Sequence, residues 1–130
     1  MMTCAGGRPG RLFRGLALLL AWATAAGPAT AVDSAAVGRF LTMSDRFHAQ
    51  LPGSPVAGLA DRQRRARAVC ILTRFEEGFG AQGVPALLSL MDVLSKGAQF
   101  DDPTIIEFNE RYGADYERIQ AECTRQARDS

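Results

Sequence analysis

The chain has 130 residues, with 15 basic and 14 acidic side chains and a net charge of +1. Nothing in that balance argues for nucleic acid as a partner, and the length suits one domain. No internal repeat and no low-complexity stretch is present.

The first element is an export signal. Arg8, Arg11 and Arg14 precede an apolar run from Leu16 to Ala26. Gly27-Pro28 breaks it, and Ala29-Thr30-Ala31 offers small residues to a signal peptidase. The run falls well short of the ~20 residues that span a bilayer, so cleavage is expected rather than stable membrane insertion. Cys4 precedes the run, where a lipid-anchored cysteine would follow it, and no twin-arginine pair occurs among the leading arginines. The expected organisation is a signal peptide over 1–31 and a helical domain over 32–130. The mature 99 residues carry twelve basic and fourteen acidic side chains. Fourteen arginines against a single lysine suggest a GC-rich genome. Together with the signal, this makes the protein periplasmic or secreted.

Four helices follow. From Ser34 to Leu51, Val37, Phe40, Leu41, Ser44, Phe47, His48 and Leu51 recur at steps of three and four, an amphipathic face with Asp33 or Ser34 as cap. Pro52-Gly53-Ser54-Pro55 ends it, and the connection to Leu59 is apolar for a loop. The second helix, Leu59 to Phe79, carries a stripe of Ala68, Leu72, Phe75 and Phe79. Its run from Ala68 to Leu72 is apolar all round, which places this helix at the centre. Gly78, Gly80 and Gly83 read as a flexible stop. The third helix runs from Pro85 to Lys96, with Gly97 as a left-handed cap. Asp102-Pro103 opens a last helix of about 25 residues, striped by Ile105, Phe108, Tyr112, Tyr116, Ile119, Cys123 and Ala127. At 1.5 Å per residue it reaches ~38 Å, so either Gly113 bends it or its end overhangs. Strand signals are missing, and the fold class is an all-α compact bundle of four helices.

Cys70 and Cys123 are the two cysteines of the mature chain, and an even pair in an exported domain of this size points to one disulfide. Cys70 lies off the main stripe of its helix, so the bond requires the last helix to pack on the back of the second. Charge is unevenly placed, with net +4 from Val32 to Phe75 and −6 from Glu76 onward. The two halves are expected to attract, and Glu76 is expected to pair with an arginine. Arg62, Arg64, Arg65 and Arg67 crowd a helix start, against its dipole, so they need a partner; the acidic half of the same domain is the expected one.

Function is less legible. His48 is the only histidine, on an apolar stripe, and a histidine buried neutral would act as a pH-sensitive element. No metal-ligand set, haem motif, nucleophile elbow, P-loop or dinucleotide fingerprint occurs, so no cofactor or metal and no enzymatic activity is expected. The leading reading is a small binding or assembly module with a protein partner. Val56, Leu59 and Phe100 would form its apolar surface, rimmed by Arg62, Arg64, Arg65 and Arg67. Two alternatives stand beside it: a stress-responsive periplasmic chaperone or inhibitor, and an enzyme built on His48, Arg74 and Glu76.

Overall fold

Asp33 sets where the first helix begins. In the computed structural model, which describes residues 32–130, its side chain accepts from the Ala35 amide at 3.0 Å and opens α1 (Ser34–Ala49). The expected signal peptide lies outside the described residues. The chain turns at Gln50, where the amides of Gln50 and Leu51 donate to the carbonyls of Phe47 and His48 at 3.0 and 3.1 Å. Leu51 therefore leaves the helix that its periodicity joined.

Helix α2 (Asp61–Phe79) starts two residues later than the apolar pattern suggested. Ala60 precedes it, and its amide donates to Gln63 Oε1 at 2.9 Å, one arm of a capping box. A 3₁₀ turn over Gly80–Gln82 leads into α3 (Gly83–Ser95). The helix begins before Pro85, which is tolerated because the first four amides of a helix lack partners anyway. Its end is a Schellman closure: Gly97 takes φ +86°, and the amides of Ala98 and Gly97 donate to the carbonyls of Val93 and Leu94, each at 3.0 Å. In α4 (Pro103–Asp129) the Asp102 side chain accepts from Thr104 at 2.8 Å.

The core gathers on α2 and α3. Ala68, Ile71, Leu72 and Phe75 of α2 are fully buried, as is Leu87 of α3. Phe75 packs against Phe79, Phe108, Tyr112 and Tyr116 with ring centroids 5.1–6.0 Å apart, tying α2 to α4. α2 is central as expected, but α3 shares the role: each touches the other three helices, while the backbones of α1 and α4 do not approach each other. α4 runs uninterrupted through Gly113. Tyr112 meets Phe79 at 4.8 Å at one end of α2, and the Arg128 carbonyl accepts from Gln63 at 3.4 Å at the other. The stretch from Tyr112 to Arg128 thus runs alongside the length of α2. The Cys70 and Cys123 sulfurs lie at bonding distance, 2.03 Å, joining the back of α2 to α4.

Two expectations are corrected. Val56 and Leu59 do not form an exposed surface; they are 4% and 7% exposed. The 50–60 connection turns them inward because a small bundle closes its ends with loop side chains. Gly83 is not a flexible stop. A Cβ there would stand 2.6 Å from the Phe75 carbonyl oxygen and 2.9 Å from Phe79 Cβ, so the glycine lets α3 approach α2.

Candidate ligand cleft between α1 and α4

Where the backbones of α1 and α4 stay apart, a cleft of about 620 Å³ opens between the two helices. α3 supplies Leu90 and Leu94 to it, and α1 with the following turn supplies Phe47, His48 and Leu51. α4 contributes Ile105, Asn109, Tyr116, Glu117 and Gln120, and Phe100 comes from the connection before α4. Phe100 is 86% exposed and Leu51 40%, so two of the four exposed large hydrophobic side chains of the domain border this one cleft. Its size falls within the ~300–1,000 Å³ range of small-molecule sites, and its lining has their usual make-up of apolar walls with few polar groups.

The polar groups converge on one buried cation. Arg67 of α2 is only 2% exposed. Its Nε donates to Thr124 Oγ1 at 2.7 Å, Nη2 to Gln120 Oε1 at 3.1 Å and Nη1 to Ser44 Oγ at 3.4 Å. The side chain thus links α1 to α4 across the gap their backbones leave. All three acceptors are neutral. No carboxylate lies within 4 Å of the guanidinium among the described residues, and Asp45, which attracts it from farther away, is bonded to Arg64 at 3.4 Å. Burial lowers the Arg67 pKa from its ordinary value, yet a guanidinium keeps its proton, so the charge stays.

The same cation shapes its neighbours. Burial raises the Tyr116 hydroxyl above the usual tyrosine value, and adjacent Arg67 partly offsets this. The hydroxyl stands beside the Arg67 guanidinium, and its proton points to Met91 Sδ at 4.0 Å. His48 is lowered to about 4, first by burial and then by repulsion from Arg67. Its Nδ1 lies 2.8 Å from Ser54 Oγ, and that oxygen accepts from the Val56 amide at 3.3 Å. The serine proton is then free to point at Nδ1, which suits a neutral ring protonated on Nε2.

The four arginines that crowd the start of α2 divide: Arg62, Arg64 and Arg65 border one surface depression with Asp45 and Asp61, and Arg67 does not. Steps of 100° send Arg67 inward. Arg64 reaches the Leu59 carbonyl at 2.8 Å and pairs with Asp61 and Asp45. Arg62 and Arg65 lie exposed beside Val69 on the outer face of α2, so they do not rim the cleft that Phe100 borders. Of the ion pairs among the described residues, Arg74–Glu122 alone joins the basic and acidic halves. Its arginine pulls the Glu122 carboxyl below its ordinary value. Glu76 forms no ion pair among the described residues; it borders a second depression, between α1 and α3, with Arg39 and Asp92.

Sequence reading missed Gln120, Thr124 and the burial of Arg67. One signal was present: Ser44 sits on the apolar stripe of α1, and a hydroxyl there needs a buried partner. No helix among the described residues is long and apolar enough to cross a membrane. No group of three or more histidine, cysteine, aspartate or glutamate side chains among them is placed to hold a metal ion. No family model matches this chain, and no curated protein or solved structure matches it.

Proposed function

We propose that this protein is an exported, non-catalytic binding module whose working surface is the cleft between α1 and α4. The observation that carries the reading is the cleft itself: apolar walls from three helices, exposed Phe100 and Leu51 at its border, and a few polar side chains gathered on one wall. Such a surface stays open to water at a cost in free energy, and a ligand or partner that covers it recovers that cost. Export is supported by the arginine-led apolar segment before Ala31, and a disulfide between Cys70 and Cys123 is compatible with an oxidising compartment. The protein partner expected from the sequence would cover the exposed border of this surface at Phe100, leaving the cleft itself to a small ligand. Arg62 and Arg65, on another face, are not part of it.

N-phenyl-1-naphthylamine, a neutral apolar dye that brightens out of water, tests the reading. It should bind the folded domain one to one, and Leu51→Asp/Phe100→Asp should weaken binding at least tenfold with the helical content unchanged. Equal dye binding by the folded double variant would discard this cleft as the binding surface.

A second reading has its own observation. His48 stands in the cleft wall beside the Arg67 cation, so acid would place two positive charges together there and push α1 from α4. A stress-responsive chaperone would use that opening. Dye binding that rises many-fold between pH 6 and pH 4, and does so less in His48→Gln, would favour it over a constitutive binder.

A further inference from the structure

We infer that the ligand of the α1–α4 cleft is an amphipathic acid, an apolar chain ending in a carboxylate, with the acid group held against Gln120 and Tyr116 in front of Arg67. The inference rests on the reading of the cleft as the binding surface and adds the chemical class of what it takes.

The apolar walls select the chain. Leu90, Leu94, Ile105 and Phe47 offer no hydrogen bond, and Phe100 extends the greasy surface outward. The polar wall selects the head group. The Gln120 amide is oriented, because its Oε1 is held by Arg67; its Nε2 donates to no protein acceptor among the described residues. The Tyr116 oxygen faces the Arg67 guanidinium, and for its own proton the hydroxyl has only a thioether, a weak acceptor. The wall therefore presents donors, and it wants an acceptor.

Arg67 decides that the acceptor is charged. A buried guanidinium normally faces a carboxylate, since taking a cation out of water costs several kcal/mol that neutral acceptors only partly return. Here every direct partner is neutral. An anion at Gln120 and Tyr116 would sit one hydrogen bond from that charge, in surroundings where Coulomb attraction is weakly screened. Two nearby acids work against it. Glu117 borders the cleft and is exposed to water, which screens its repulsion; Asp45 is already engaged by Arg64. His48 is neutral at pH 7 and neither helps nor hinders the charge.

Displacement of the naphthylamine dye at pH 7.5 by dodecanoate and by dodecanol, both below their micelle or solubility limits, tests the inference. The two share a chain and differ in charge. Dodecanoate should displace the dye at a concentration at least tenfold lower. Gln120→Glu supplies Arg67 with an internal carboxylate and should fold as the wild type does; it should erase the preference for the acid over the alcohol. Glu117→Gln, an exposed change, should improve dodecanoate alone by about twofold to threefold. Equal displacement by acid and alcohol would overturn the acid head group and leave the cleft as an apolar binding surface. A preference that survives in folded Gln120→Glu would overturn the role given to Arg67. A domain that binds no dye at all would remove the cleft reading itself.

Discussion

Arg67 on α2 and Thr124 on α4 form the shortest hydrogen bond of the buried cation, 2.7 Å from Nε to Oγ1, and the threonine hydroxyl donates onward to the Gln120 carbonyl at 2.7 Å. Thr124 thus holds Arg67 in place while back-bonding its own helix. Thr124→Val keeps the shape and leaves a charged donor without its partner, so it should destabilise the domain by about 1–3 kcal/mol. Arg67→Met, which removes the charge with most of the volume, should cost less than Arg67→Ala, because a buried ion is often replaced by a well-packed apolar side chain without loss. Urea unfolding of the three variants checks both statements. Thr124→Val behaving as wild type would mean water already satisfies Nε.

Acid should loosen the fold through His48. Its folded pKa of about 4 lies below the ~6.5 of an unfolded histidine. The unfolded chain therefore binds the proton first as pH falls. The contribution of the neutral ring is fully present above pH 6.5 and is lost between 6.5 and 4. Because the ring is partly reached by water, about 2 kcal/mol is a reasonable size for the loss. His48→Gln should flatten the stability profile across that window; an unchanged slope would place the acid sensitivity elsewhere.

Reduction of the Cys70–Cys123 bond should lower stability by about 2–5 kcal/mol. Cys123 is buried and Cys70 only partly so. Cys123→Ser, which adds a buried hydroxyl, should therefore cost more than Cys70→Ser. Alkylation under denaturing conditions should find no free thiol in protein taken from an oxidising compartment.

Gly83→Ala should destabilise by about 1–3 kcal/mol, since the new methyl meets backbone at 2.6 Å and the two helices must part. Gly38→Ala, where nothing lies within 4 Å, should be neutral or slightly stabilising in its helix. Thermal unfolding of the pair separates a packing role from simple chain stiffness.

Leu72→Ala and Phe75→Ala should each cost about 2–5 kcal/mol, both side chains being fully buried on α2. Leu59→Ala should cost nearly as much as Leu72→Ala, contrary to its place in a connection, because Leu59 is 7% exposed. A loss under 1 kcal/mol at Leu59 would mean the end of the bundle recloses without it.

The sequence by itself determined the helices. The three- and four-residue steps from Val37 to Phe47 and from Ile105 to Ala127, the caps at Asp33 and Asp102 and the glycine at Gly97 are local features, and a helix is a local structure. The pairing of Cys70 with Cys123 followed from there being one pair, whereas the all-round apolar run of α2 does not mark burial on every side, since Val69 within it is 41% exposed. Periodicity states which face of a helix is apolar, not which helix covers it. It therefore could not show that the backbones of α1 and α4 stay apart, that Arg67 bridges them, or that Val56 and Leu59 turn inward. Those outcomes depend on the close approach of α3 to α2 at Gly83 and on how four helices of unequal length share one core. The cleft exists only because two amphipathic helices, each fully specified by its own residues, meet the same partners and not each other.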